Sequence, residues 1–172
     1  MPCPTDPAIE VIDSLTEALL DWFKPEADCL PKIGIVDTVR LLGGDGLPLA
    51  AWNSAAGCDN PFVWIRVMSR YRSREFPTPT IGMNPCGLPV VLSVEVGVAW
   101  CAVTDQEPRW SDWAEEAEKS LDTSWRLERA LCRAVSRLDT DGSNRQIGTS
   151  TLTPYGPEGD AIAWTGIVYM SI

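Results

Sequence analysis

Residues 61–103 read PFVWIRVMSRYRSREFPTPTIGMNPCGLPVVLSVEVGVAWCAV, and this segment carries the clearest strand pattern of the chain. Its second part, 90–103, alternates apolar side chains with small or polar ones, which is the period of a β-strand. Its first part, 62–75, also alternates. One predicted face carries Val63, Ile65, Val67 and Tyr71, and the other carries Arg66, Arg70, Arg72 and Arg74. The prolines and glycines of 77–89 exclude a sheet interior. We therefore predict a long antiparallel hairpin with an exposed proline-rich loop at 77–89.

The sequence on either side of this hairpin predicts two helices. Residues 7–23 place apolar side chains at helical spacing behind a capping Asp6. Residues 112–139 form a longer amphipathic pattern, and Asp112 with Glu115 makes a capping box at its start.

The remaining segments predict shorter strands. Residues 38–42 and 47–52 flank a GGDG turn, and 145–152 pairs with 161–172 across a turn at 154–160. This order of elements is typical of an α+β fold. We expect all 172 residues to form one domain, a mostly antiparallel sheet with the N-terminal helix and the long second helix packed on one face.

The composition limits the possible partners. The formal net charge is −10 and there is no histidine, and an acidic surface disfavours free duplex nucleic acid as the main partner. The first residues lack the pattern of a signal peptide, and no run reaches the roughly 20 apolar residues of a membrane span. We therefore expect no membrane partner. The six cysteines form no CxxC pair, so we expect reduced thiols.

Sequence motifs for catalysis or metal binding are not found. Residues 139–150 begin like a calcium loop, but Gly142 is fourth rather than sixth and Ser150 stands where that loop needs glutamate. The GGDG turn at 43–46 lacks the Lys-Ser/Thr of a phosphate-binding loop. Without histidine there is no catalytic Cys–His set. We expect neither an enzyme nor a bound cofactor or metal.

Two groups of arginines stand out in this acidic chain. The hairpin group fits a nucleic-acid patch, a catalytic anion site, a protein-docking surface or a solvated sheet face. The group on the long helix either pairs with nearby carboxylates in solvent or meets an acidic surface on a neighbouring subunit. The candidate subunit-interface residues are Arg66, Arg70, Arg72, Arg74, Trp125, Arg126, Arg129, Arg133 and Arg137.

The order of elements resembles the tail terminator proteins of long-tailed, siphovirus-type bacteriophages. The segments that carry the resemblance are DPAIEVIDSLTEALLDWF, FVWIRVMSRYRSREF with VVLSVEVGVAWCAV, SDWAEEAEKSLDTSWRLERALCRAVSRL and the closing AIAWTGIVYMSI. The Trp- and Arg-rich, Lys-poor texture is similar to that of proteins from phages that infect actinobacteria. The resemblance covers nearly the whole chain and depends on element order and texture.

This resemblance implies a virion protein of the tail or neck, present in the host cytoplasm during assembly. Such proteins form a homohexameric ring on the head-proximal end of the tail tube, stop tube polymerisation and join a head-closure or neck protein. Viral DNA passes through the central channel without sequence-specific binding, and no catalytic residue or cofactor is implied. Two alternatives stay open: a head-closure or neck adaptor of the head–tail connector, and a small anion-binding α+β domain that uses the hairpin arginines.

Overall fold

The helices and strands follow the predicted order in the computed structural model. The structure describes residues 5–24, 29–44, 60–82, 85–103, 107, 109–139, 145–158 and 161–172. In chain order the elements are α1 Ala8–Phe23, β1 Val39–Leu42, β2 Phe62–Arg72, β3 Val90–Cys101, α2 Trp110–Asp139, β4 Ile147–Thr149, β5 Thr153–Glu158 and β6 Ala161–Ser171. The strands form one six-stranded, mostly antiparallel sheet. The fold is α+β, as the sequence predicts.

Strand β3 lies at the centre of the sheet. It pairs antiparallel with β2 on one side and with β6 on the other. β1 extends the sheet beyond β2, and β4 and β5 both pair with the far side of β6. Every residue from Val91 to Trp100 is buried. This position explains why the side chains of β3 are almost all apolar or small, since both of its faces are removed from water.

One face of the sheet packs against both helices. The alternate residues of β3 from Leu92 to Val98 form the centre of this core, together with Ile65 of β2 and Met170 of β6. The buried helix residues that meet them are Ala8, Val11, Leu15, Ala18, Leu19, Phe23, Leu127, Ala130, Leu131, Ala134 and Leu138. The prediction that both helices cover one face is therefore confirmed.

The opposite face carries a smaller apolar cluster around Trp64. Its other buried members are Phe62, Ala99, Ala161 and Ala163. The indole of Trp64 lies directly over Gly97, where an added Cβ would be 2.1 Å from the ring atom Cζ2. The close approach of this ring therefore requires glycine at position 97.

Two details of the sheet differ from the prediction. β1 pairs in parallel with β2, and its predicted hairpin partner, 47–52, lies outside the described residues. The turn predicted at 154–160 is wrong for most of its length, because Thr153–Glu158 forms strand β5 against β6. Its prolines indicate a turn, but an edge strand also tolerates them, since its outward positions need no hydrogen-bond donor.

The helix starts are set by aspartates, one of them in an unexpected position. The N–H of Ala8 donates to Asp6 Oδ1 at 3.0 Å at the start of α1, as predicted. α2 begins earlier than predicted, and the N–H of Arg109 donates to Asp112 Oδ2 at 2.8 Å. This hydrogen bond holds the pKa of Asp112 below its usual range. Asp112 therefore acts from inside the first turn of α2 rather than from the cap position.

The cysteines do not all carry free thiols. Cys29, Cys86 and Cys132 are free, whereas Cys101 is disulfide-bonded. The expectation of reduced thiols is therefore wrong for Cys101. A disulfide depends on the separation of two residues in space, which spacing along the chain does not reveal.

Candidate interaction surface

A β-bulge splits the predicted arginine face of β2. The register with β3 shifts between Val67 and Ser69, so residues beyond the shift point to the opposite side from the one that strict alternation predicts. Arg66 lies before the shift and points away from the helices, whereas Arg70 and Arg72 lie beyond it and share the helix side of the sheet. The prediction of one common arginine face is therefore wrong.

Arg66 belongs to an internal cluster of charges. Its Nη2 donates to Glu95 Oε2 at 2.9 Å, and its Nε lies 2.7 Å from Glu95 Oε1. The indole N–H of Trp64 donates to the same carboxylate at 3.0 Å. All three residues are buried: Arg66 is 5% exposed, Glu95 is 8% exposed and Trp64 is 1% exposed. The prediction of Arg66 as a surface contact is therefore wrong, because its charge is neutralised by Glu95 within the chain.

Arg70 and Arg72 also form hydrogen bonds with other residues of the chain. Arg70 Nη2 donates to the two carboxylate oxygens of Asp6 at 2.9 and 2.7 Å, which ties β2 to the start of α1. The N–H of Ala8 and the Arg70 guanidinium hold the pKa of Asp6 below its usual range. Arg72 Nη1 donates to the carbonyl of Leu88 at 2.6 Å and braces the beginning of β3. Both arginines therefore stabilise the hairpin and its neighbours.

Arg126 connects three parts of the chain. Its Nε donates to Asp122 Oδ2 at 2.9 Å and its Nη1 to the carbonyl of Trp22 at 2.9 Å. Its Nη2 donates to the carbonyls of Cys29 and Leu30 at 3.0 and 3.1 Å. At 5% exposed, this side chain is buried. The prediction of Arg126 as a surface contact is wrong, because helical spacing alone does not show that the chain after α1 covers it.

The other arginines of α2 divide into paired and unpaired side chains. Arg137 bridges to α1, with Nη1 3.2 Å from Glu17 Oε2 and Nη2 2.8 Å from Asp21 Oδ2. Arg137 therefore agrees with the first interpretation of the helix arginines, in which they pair with nearby carboxylates in solvent. Arg129 and Arg133 are exposed, and neither forms an ion pair with any described residue. Of the predicted helix arginines, these two remain available at the surface.

An exposed apolar stripe runs along α2. The stripe, defined by Trp110, Trp113, Leu121 and Trp125, is 89%, 44%, 70% and 46% exposed at these positions. Their spacings place them on one side of the helix, over a length of roughly 22 Å at 1.5 Å per residue. We call this the α2 stripe. Trp125 was predicted at the surface from its position off the core face; Leu121 was missed, although the same helical spacing indicates it.

Trp125 is held in a defined position within the α2 stripe. Its ring meets that of Trp22 edge to face, with centroids 5.3 Å apart. The guanidinium carbon of Arg129 lies 5.7 Å from the centroid of the Trp125 ring, within the range of a cation–π contact. These contacts leave about half of the indole exposed in a fixed orientation.

The α2 stripe borders a groove at the edge of the sheet, which we call the edge groove. Its volume is about 560 Å³. Leu121, Trp125 and Glu128 of α2 form one wall, and residues 149–152, which join β4 to β5, form the other. Trp164 of β6 also lines it, and its indole N–H donates to Ser120 Oγ at 2.9 Å. The groove is therefore a mostly apolar cleft whose lining also includes the hydroxyl side chains of Ser124, Thr149, Ser150 and Thr151 and the exposed carboxylate of Glu128.

The connection between β2 and β3 presents an exposed isoleucine. We call residues 77–82 the loop tip, in which Ile81 is 100% exposed. Hydrogen bonds brace this segment: the N–H of Thr80 donates to the carbonyl of Arg72 at 2.8 Å, and Ser73 Oγ donates to the carbonyl of Thr78 at 2.7 Å. Ile81 is therefore displayed on a braced loop.

Arg74 stands beside the loop tip. Its N–H donates to Thr80 Oγ1 at 2.9 Å, and its side chain is exposed. Tyr71 anchors the other side by donating its hydroxyl to the carbonyl of Pro77 at 2.5 Å, and its partial burial raises its pKa. Tyr71 lies opposite Val91, on the face away from the helices, so its predicted position on the core side is wrong for the same reason as for the arginines.

Comparisons with known proteins do not assign this surface to a family. No known protein family matches the chain, and no curated protein matches it. Among the residues that the structure describes, no cluster of three or more Cys, Asp or Glu side chains is arranged to hold a metal. In the same part of the chain, no helix is both long and apolar enough to cross a membrane.

Proposed function

We propose that the protein is a structural component of a bacteriophage tail that assembles into a hexameric ring. The ring caps the head-proximal end of the tail tube, ends tube polymerisation and joins the tail to a head-closure or neck protein. The resemblance in element order suggests the place in the virion. The α2 stripe is the observation that carries the case for assembly.

The α2 stripe is costly for a chain that stays monomeric. When an exposed aromatic side chain binds a partner, a large apolar area is removed from contact with water. Each Å² removed stabilises the complex by about 25 cal/mol. Tryptophan is enriched in the cores of protein interfaces, and aligned exposed apolar residues mark interaction sites. Arg129 and Arg133 lie on the same helix, where their charges suit the polar rim of such an interface.

The charge of the chain suits a ring through which DNA passes. The formal net charge of one chain is −10, so a ring of six copies carries a large negative net charge. Such a ring repels the phosphate backbone and does not retain DNA by counterion release. We therefore propose that DNA crosses the channel without a specific binding site.

The proposal is tested by light scattering, which measures the mass of the assembled species. The purified chain is measured over a range of concentrations, alone and with the tail tube protein. A hexamer of the 18.9 kDa chain has a mass of about 113 kDa, as a closed ring of six requires. Addition of the chain to polymerising tube protein should also shorten the tubes, measured by electron microscopy. A chain that stays monomeric in both conditions and leaves tube length unchanged contradicts the proposal.

The same preparation separates the terminator from the neck adaptor. Binding to tube ends supports the terminator. Binding to the head-closure or portal-proximal protein, with no effect on tube length, would instead support the adaptor of the head–tail connector.

A further inference from the structure

We infer that the loop tip of one subunit docks into the edge groove of the next subunit. The occupant of the groove is thus a second copy of this chain, and each subunit both inserts a loop and receives one. The inference rests on the proposed ring, and it assigns the surfaces through which the ring closes.

The loop tip has the properties of a preformed ligand. Pro77 and Pro79 restrict its backbone, and both are exposed. The hydrogen bonds from Thr80 and Ser73 hold the segment against the end of the hairpin. Because these hydrogen bonds hold the backbone as far as Thr80, docking costs less conformational entropy than the insertion of a free loop. Ile81, 100% exposed, is the side chain that gains most from burial.

The edge groove has the properties of the matching receptor. Aromatic side chains in a groove offer large apolar surfaces on which a partner's proline and aliphatic side chains can pack. Trp125 and Trp164 provide aromatic surface here, and Leu121 and Leu152 add aliphatic surface. The volume of about 560 Å³ is within the roughly 300–1,000 Å³ of protein sites that enclose small ligands, which is ample for an isoleucine and a neighbouring proline.

The two surfaces also carry opposite charges. Arg74 stands beside the loop tip and Glu128 lines the edge groove. Both side chains are exposed, and neither forms an ion pair with another described residue. Docking brings a cation and an anion to the same contact, which favours this pairing over one between like charges.

The positions of the two surfaces make the contact head to tail. The loop tip follows Phe76, whose ring lies close to Gly148 of β4, and the edge groove is formed by α2, residues 149–152 and Trp164. The two surfaces are therefore different patches of the same chain. A contact between two different patches leaves one free loop and one free groove on every pair. Further copies can therefore add until the ring closes.

Two single substitutions and their mixture test the contact. Ile81→Asp spoils the loop but leaves the groove, and Leu121→Asp spoils the groove but leaves the loop. Both side chains are strongly exposed, at 100% and 70%, so neither change should disturb the fold. We expect each variant alone to raise the Kd of assembly about tenfold or more. The matched control is Ile35→Asp, which alters a 42% exposed residue outside both surfaces and should assemble normally.

Mixing the two variants is the decisive step. A pair made of Leu121→Asp inserting its intact loop into the intact groove of Ile81→Asp retains one complete contact. Light scattering should therefore show 1:1 dimers in the mixture and monomers in each separate sample. An independent check uses charge: Arg74→Glu and Glu128→Arg should each weaken assembly, and the double variant should recover it.

The outcomes distinguish this inference from the proposed function. All samples are measured in the condition in which the unmodified chain assembles, alone or with tube protein. Rings of Ile81→Asp with unchanged Kd, or a mixture without dimers, overturn the docking contact and leave the ring standing, whereas rings of Leu121→Asp with unchanged Kd overturn both the docking contact and the role of the α2 stripe in assembly. An unmodified chain that never self-associates, with or without tube protein, overturns both.

Discussion

Truncation of Glu95 tests the role of the buried charge cluster formed by Trp64, Arg66 and Glu95. Glu95→Ala removes a carboxylate that accepts hydrogen bonds from Trp64 and Arg66 at 3.0 and 2.9 Å. The Arg66 guanidinium, 5% exposed, then remains buried without this counter-charge. Removal of one partner from a buried ion pair costs about 3–5 kcal/mol. Because folded domains are stable by only about 5–15 kcal/mol, this one change should consume a large share of the total.

Urea unfolding followed by tryptophan fluorescence measures this cost. At a slope of about 1–3 kcal/mol per molar urea, the midpoint of Glu95→Ala should fall by roughly 2 M. The double variant Arg66→Met with Glu95→Gln keeps an acceptor for Trp64 and removes both charges, so it should lose much less than Glu95→Ala.

A surface ion pair provides the matched control for that experiment. Asp21→Ala breaks an ion pair with Arg137 whose side chains are 49% and 30% exposed, respectively, and should cost about 1 kcal/mol or less. If Glu95→Ala lowers the free energy of unfolding no more than Asp21→Ala does, then Glu95 is not needed to neutralise the buried charge of Arg66.

Three further predictions concern packing, pH and the buried arginine of α2. Gly97→Ala places a Cβ 2.1 Å from the Trp64 ring and should destabilise by about 1–3 kcal/mol in urea, whereas Gly82→Ala, with nothing within 4 Å, should be nearly neutral. The pKa of Asp6 is lowered in the folded state, so its stabilising effect is present above the unfolded value near 4 and lost as pH falls through the folded value. The difference in urea midpoint between the unmodified chain and Asp6→Asn should therefore shrink between pH 7 and pH 3. Arg126→Lys cannot reproduce the fork that reaches three carbonyls and should cost about 2 kcal/mol or more; an unchanged melting temperature would contradict that role.

The fold class was predictable because long elements carry repeated signals. The period of two in 90–103 and the helical spacing in 7–23 and 112–139 each extend over many residues, so local exceptions do not hide them. β5 was missed because proline and glycine indicate a turn equally well as an edge strand.

The arginine sites were largely unpredictable for a structural reason. One extra residue at the β2 bulge reverses the side on which every later side chain points, and nothing in the alternation of 62–75 marks that position. Burial of Arg126 depends on contacts with Trp22 and Cys29, about a hundred residues away in sequence. The exposed positions on α2 could be predicted from the sequence, because helical spacing separates Trp125 and Leu121 from the buried face.

Electron microscopy of tail tubes assembled with the purified chain shows whether the chain caps the tube as a ring. We expect a ring of six copies at one end of each tube, with Ile81→Asp chains absent from that position. Tubes with bare ends, in a sample in which the chain stays monomeric beside them, would contradict it.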